Sequence, residues 1–339
     1  MRRARALVVA LVMSVSMLAL AGGAQSRPTQ SLERIVYGTG FGVLGRDAFV
    51  HVASRLGYYR AEGIEVEIVP GAGTVDTMRQ LAAGRRDIGF GDVNAVVLTR
   101  ANDGIPVKAV YLVSQNTLAT YIALRESGIA TPKDLEGKTI ADAPGSTATV
   151  LFPLYAKKAG VDASKVRFVP AAPPTLPSLL ASKRVDAVAQ FILGLPLMQA
   201  AAGGKPVVSL PYYKFFPGFV GTAILVSDKW IREHPGLLRR FLRATDRGLR
   251  WALANPGRAG AILNEMEPLA NPVVAAKELR LLKPHVRTPF TITNGFGAFD
   301  RRRINSTISI MHNFFKPKDR VTASDIYDAR FLPGPPRRK

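Results

Sequence analysis

Beyond residue 26, short β-rich runs alternate with amphipathic helical stretches. That rhythm predicts an α/β fold, each lobe a mostly parallel sheet flanked by helices. Residues 34–37 read as the first strand, followed by a glycine-rich loop. A helix is expected over 46–60, with Phe49, Val50, Ala53, Leu56 and Gly57 on one face at helical spacing. Residues 64–69 alternate Ile and Val with Glu65 and Glu67, as a strand with one polar side does. A helix ending at Gly84, a strand over 87–91, a helix over 93–101 and a strand over 107–113 complete this series.

A second series repeats the first. Strands are expected over 119–124, 138–141, 166–169, 187–190 and 207–210, with a helical turn at 132–135. The turn Pro144-Gly145-Ser146-Thr147 opens a helix to Lys158, its hydroxyls suited to cap free N–H groups. An aromatic, glycine-punctuated stretch over 212–221 leads into a strand over 223–226, and from Asp228 the pattern is mostly helical. The helix over 237–253 turns Leu238, Phe241, Leu242, Thr245, Leu249, Ala252 and Leu253 inward and its arginines outward. Two lobes joined near 115–119 and 217–222 account for this order. The expected organisation is a leader over 1–26, the first part of lobe 1 over 27–116 and lobe 2 over 117–219. Residues 220–330 supply a strand returning to lobe 1 and the C-terminal helices, and 331–339, with three prolines, a disordered basic tail. Ligands of such lobes sit beyond the carboxyl ends of strands, where helix N-termini present unpaired N–H groups. The strand-to-helix loops are therefore the expected site.

Composition changes the picture at three points. The start, with Arg2, Arg3 and Arg5, an apolar stretch over 7–20 and small residues at 21–24, predicts an export signal cleaved near Ala24. The expected location is periplasmic, as a free soluble chain. The absence of cysteine excludes disulfide scaffolds, thiolate metal sites and cysteine nucleophiles. Without the leader's three arginines the net charge falls from +21 to about +18. The basic residues are spread along the chain, densest over 239–250, 301–303 and 337–339. They read as solvated faces, and no nucleic-acid partner is expected.

Motif by motif, catalytic and cofactor chemistry finds little support. Gly40, Gly42 and Gly45 spell G-x-G-x-x-G after a strand, but the second strand ends Ile68-Val69-Pro70 without the acid that would hold a ribose. A loop approaching a ligand is the better reading. Gly137-Lys138-Thr139 ends like a phosphate-binding loop, yet Pro132 stands where its first glycine belongs. The four histidines lie far apart without metal-ligand spacing, and no nucleophile elbow or H-E-x-x-H occurs. No cofactor, metal or catalytic residue is expected. Asp47 and Asp92, in strand–helix loops, are expected to act as helix caps or ligand acceptors. A general base remains the rival role. The run Tyr212–Phe219 fits either core or a pocket wall stacking on a flat solute.

Four phrases carry a family resemblance. Residues 56–66, LGYYRAEGIEV, resemble a stretch of the periplasmic solute-binding proteins of ABC importers that take aliphatic sulfonates, taurine and thiamine-pyrimidine precursors. Residues 81–92, LAAGRRDIGFGD, 133–140, KDLEGKTI, and 184–187, RVDA, are similar to later phrases of the same family in the same order. The resemblance implies a type II periplasmic binding fold, monomeric, closing around one small molecule and presenting it to a membrane permease. It places the pocket at Phe41, Arg46, Asp47, Gly73, Thr74, Asp92, Asn94, Gln115, Asn116, Ser146, Thr147, Gln190 and Tyr213. In this reading Ser146, Thr147 and Thr74 cap helix starts, the amides read amine edges, and Phe41 and Tyr213 sandwich a ring. An aminopyrimidine-like heterocycle is favoured, with a sulfonate, taurine or nitrate-like anion as the alternative, for which Arg46 is the obvious counter-ion. Rivals from other classes are an exported enzyme using Asp47 or Asp92 and a module signalling to a membrane sensor.

Overall fold

The computed structural model describes residues 31–334. The expected leader and cleavage site, and residues 335–339 of the tail, lie outside them. Ten strands form two five-stranded sheets. The first takes β1 (Glu33–Gly38), β2 (Ile64–Val69), β3 (Ile88–Asp92), β4 (Val107–Leu112) and β10 (Thr222–Ser227) in the order β2-β1-β3-β10-β4. The second takes β5 (Ala119–Leu124), β6 (Thr139–Asp142), β7 (Arg167–Pro170), β8 (Ala187–Phe191) and β9 (Val207–Pro211) in the order β7-β6-β8-β5-β9. Each sheet carries one strand antiparallel to both neighbours, β10 in the first and β5 in the second. These are the strands that follow the two crossings between sheets. Every residue of β3, β5 and β10 is buried, which is why β5 and β10 read as largely apolar runs. β2 lies at an edge, so Glu65 is exposed and Glu67 pairs with Arg34 on the surface.

The helix expected over 46–60 is instead three pieces. Gly45–Asp47 is a 3-10 turn, Ala48–Arg55 an α-helix, and Tyr58–Ala61 a further short helix. Gly57 separates the last two at φ +71°, a left-handed conformation open to glycine. The break turns Tyr59 inward, where its ring stacks on Phe241 at 5.1 Å and its hydroxyl meets Thr245 at 2.8 Å. The long helix Pro235–Ala254 buries all seven residues expected inward. Its arginines are partly engaged at home: Arg243 pairs with Glu62 at 2.7 Å, Arg250 with Asp246 at 2.6 Å, and Arg247 lies over Tyr58. Phe331, expected to open the tail, is buried beneath Arg239. Among the described residues no helix is long and apolar enough to cross a membrane.

One apolar cluster runs through both lobes, joining Val93, Val97 and Leu98 of the helix Val93–Asp103 to Leu151 and Tyr155 of the helix Thr147–Ala159. Tyr212 belongs to it, stacked on Tyr155 at 4.3 Å and bonded to Tyr121 at 2.7 Å. The aromatic run is therefore core at its ends, with Phe216 stacked on Phe219. Arg303, expected on a solvated face, is drawn in at the crossings. It donates to Asn116 Oδ1 at 2.8 Å and to the carbonyls of Pro217 and Phe219 at 3.1 and 2.9 Å.

Candidate functional site

The carboxyl ends of β1, β2 and β3 face those of β6 and β8 across a small cavity of about 20 Å³. The first lobe lines it with Gly40, Phe41, Gly73, Thr74 and Gly91, the second with Asp142, Ser146, Thr147, Ala148, Ala189, Gln190 and Phe191. Ser146 caps the helix Thr147–Ala159, accepting from Thr149 N at 3.2 Å. Its hydroxyl donates to Asp142, as does that of Thr149, and Ala143 N donates to the other Asp142 oxygen at 2.7 Å. Burial lifts the Asp142 carboxyl to about 6 against the pull of these donors. Thr74 and Thr147 meet across the cleft, hydroxyl to hydroxyl, at 3.4 Å.

Of the thirteen expected residues, Phe41, Gly73, Thr74, Ser146, Thr147 and Gln190 converge here. Ser146 caps its helix as expected. Thr74 does not, because its helix starts from Gly73 without a side-chain cap and its hydroxyl instead accepts from Asp92 N at 3.0 Å. Arg46 is 1% exposed and already engaged. It donates to Phe41 O at 3.1 Å and Gln190 Oε1 at 3.5 Å and lies over the Phe191 ring. Its guanidinium therefore contacts both lobes beside Asp47, 3.9 Å away, with Nε left without a hydrogen-bond partner.

The other six do not line the cavity. Asp47 is held behind it, accepting from Leu44 N at 3.0 Å, and burial raises its pKa despite Arg46 alongside. Asp92 caps the next helix through Asn94 N at 2.9 Å, and Asn94 Nδ2 bonds both Asp92 and Val220 O at 2.7 Å. Burial lifts Asp92 to about 7. Gln115 donates to Ala298 O at 3.1 Å, and Asn116 receives Arg303. Tyr213 faces His285, ring centroids 6.0 Å apart, because the turn that buries Tyr212 sends its neighbour the other way. Each of these contacts is made within the residue's own lobe or at the crossings, although Asp47 Oδ1, Asp92 Oδ2, Asn94 Oδ1 and Gln115 Oε1 are buried without a protein partner.

Two acids were missed. Asp142 ends β6 shortly before a capping serine, much as Asp92 ends β3 before its helix, and that parallel was the available signal. Glu278, on the helix Pro272–Val286, has no sequence signal. It is 1% exposed, accepts from Gly45 N at 2.5 Å, and burial lifts it to about 8 against the opposing influence of Arg46. Among the described residues no group of three His, Asp or Glu stands close enough to hold a metal.

The profile of the NMT1/THI5-like family matches residues 47–259. The riboflavin-binding protein RibY of Chloroflexus aurantiacus is 26% identical over 84% of this chain and 82% of its own length. The formylaminopyrimidine-binding protein of Halalkalibacterium halodurans is 24% identical over 83% and 85%. Among solved structures, the alkanesulfonate-binding protein SsuA from Xanthomonas axonopodis pv. citri, bound to MOPS, superposes with TM-score 0.68 at 17% identity, covering 87% of this chain and 98% of that one. The desulfurization enzyme DSZB shares the fold at TM-score 0.55 and 15% identity, over 88% and 97%. The fold is thus the two-lobed periplasmic binding architecture, which serves both binding proteins and an enzyme.

Proposed function

The chain belongs to the NMT1/THI5-like family, and on that premise we propose that it is the exported solute-binding component of an ABC-type importer. It captures one small organic molecule between its lobes and does not transform it. The observation that carries this reading is the convergence of strand-end loops from both lobes on one cavity, with hydroxyls, an amide and a carboxylate among its walls. A solute touching both lobes stabilises the closed form over the open one, and a membrane permease can read that difference.

The chemistry favours a flat nitrogen heterocycle of the aminopyrimidine kind. With its pKa near 6, Asp142 is mostly ionised at neutral pH, so it attracts N–H groups and repels sulfonate or nitrate. Arg46, named above as the counter-ion for an anion, does not line the cavity and turns its terminal nitrogens to Phe41 O and Gln190. The riboflavin and formylaminopyrimidine in the relatives' names support the same class. An anion is the second reading, supported by the start of the helix Thr147–Ala159 at the cavity wall. Catalysis by Asp47 or Asp92 has no geometric support, since neither lines the cavity.

Riboflavin, a formylaminopyrimidine, taurine, an alkanesulfonate and nitrate are to be tested by thermal shift and calorimetry on the chain without its leader. At 100 times its Kd a true ligand stabilises by about 2.7 kcal/mol, a shift of several degrees. The expected outcome is a shift with a heterocycle and none with the anions. A shift with the anions alone reverses the ligand class, and turnover of a bound compound removes the binding-protein reading.

A further inference from the structure

The cavity of about 20 Å³ has room for about one water, whereas pockets for organic solutes run to roughly 300–1,000 Å³. On the far side of Phe41 the same two lobes enclose a groove of about 320 Å³. Phe41 and Gln190 belong to both linings. The groove's second-lobe wall presents Pro173, Pro174, Pro177 and Leu197, and its first-lobe wall presents Val274 and Glu278. Glu278 is the decisive member. One of its oxygens accepts from Gly45 N at 2.5 Å, while the other is buried without a protein partner. Eleven buried side-chain atoms among the described residues lack a protein partner, and this is the only one of them on a residue lining the groove, which makes it a place for a ligand's hydrogen bond.

We propose that this groove is the compartment for the solute's ring, with a ring N–H or O–H bonded to Glu278 and a polar substituent reaching past Phe41 to Asp142 and Thr147. The assignment rests on the heterocycle reading above and adds where that heterocycle sits. Prolines on one side and Val274 on the other offer flat apolar walls of the kind that hold aromatic rings. Glu278, facing Arg46 and Asp47, keeps its proton at neutral pH because burial lifts it to about 8. A neutral Glu278 can donate or accept, which fits an uncharged ring. Phe41 meanwhile packs into the second lobe's apolar cluster with Leu176 and Ile122. Displacing it joins the two spaces.

The test titrates riboflavin and a formylaminopyrimidine into the wild-type chain and into Leu197→Trp, Val274→Trp, Glu278→Gln and Glu278→Leu, by calorimetry and, for riboflavin, fluorescence quenching. The tryptophans fill the groove and are expected to weaken binding of whichever probe binds by tenfold or more, at unchanged melting temperature. Glu278→Gln, which keeps an acceptor and adds a donor, is expected to stay within threefold, and Glu278→Leu to lose tenfold. Wild-type binding that survives both tryptophans overturns the groove and leaves the heterocycle reading standing. Failure of the wild type to bind either probe overturns both. If a tryptophan variant does not fold, hydrogen exchange on the unaltered chain decides. Slowing at 173–177 and 272–279 upon adding the probe supports the groove, and slowing confined to 73–74 and 142–147 overturns it.

Discussion

Four buried carboxyls, Asp47 among them with its pKa raised by burial, give this chain an unusual response to pH. Burial lifts Asp142 to about 6, Asp92 to about 7 and Glu278 to about 8. Each is an acid that is harder to ionise folded than unfolded, so between its unfolded and folded pKa the folded chain holds more protons. Their contribution to stability is full below about pH 4, the unfolded range, and is lost as pH rises through these folded values. His285, whose pKa burial lowers, acts with the opposite sign but only up to about pH 6.5, the unperturbed histidine value. Above that, Asp92 and Glu278 dominate, with Arg46 and Asp47 the charged neighbours of Glu278. Urea unfolding is therefore expected to show stability falling from pH 6.5 to 8.5. Glu278→Gln, which cannot ionise, is expected to flatten the upper part of that fall. A wild-type curve that is level or rising across this window removes the assignment.

The strands and helices were largely legible in the sequence because each leaves a local mark. Every expected strand appears within a residue or two, since fully buried strands such as β5 and β10 need largely apolar runs. The helix starting at Thr147 was legible from its serine cap. What failed was non-local. The break at Gly57 follows from Tyr59 packing on Phe241, far along the chain. Asn116 looked like a ligand amide because nothing nearby announces Arg303, its partner from a distant helix. Asp142 was overlooked because a carboxylate at a strand end means little until the opposite lobe closes over it. The crossings illustrate the same dependence on distant partners. A methyl group on Gly221 would lie 2.1 Å from Asn116 O and 2.2 Å from Ser114 Oγ, on the adjoining crossing segment. Gly221→Ala is expected to destabilise by about 1–3 kcal/mol, as overpacking does. Gly57→Ala has open space and meets only the strain of its positive φ, about 1–2 kcal/mol. Urea midpoints check both. Only Gly221→Ala, which displaces a crossing, is also expected to alter riboflavin affinity.

The two lobes are held together unequally on the two sides of the cleft. Toward the crossings, the helices Val93–Asp103 and Thr147–Ala159 share a continuous apolar cluster. Toward the loops, closure rests on Thr74 with Thr147 at 3.4 Å, Arg46 with Gln190 at 3.5 Å, and Phe41 in the second lobe's cluster. The polar contacts are at the long end of hydrogen bonding and contribute little. Burial of Phe41 contributes about 2–3 kcal/mol, while a solute bound at 1 μM supplies about 8 kcal/mol. A ligand can thus replace the phenyl ring and still favour closure. Because the inner cavity of about 20 Å³ is closed off by these contacts, passage of the solute beyond Phe41 to Asp142 and Thr147 requires the loop side to part. The chain has no cysteine, so a disulfide can be placed there without competitors. In Thr74→Cys with Thr147→Cys the new sulfurs replace oxygens 3.4 Å apart, close enough for small adjustments to join them. Both threonines line the cavity, so the reduced double variant is the reference. Oxidised, it is expected to take up riboflavin at least a hundredfold more slowly than when reduced, and reductant is expected to restore the rate. Equal uptake in both states means that solute enters without separating Thr74 from Thr147, and parting of the lobes on that side is then not the gate.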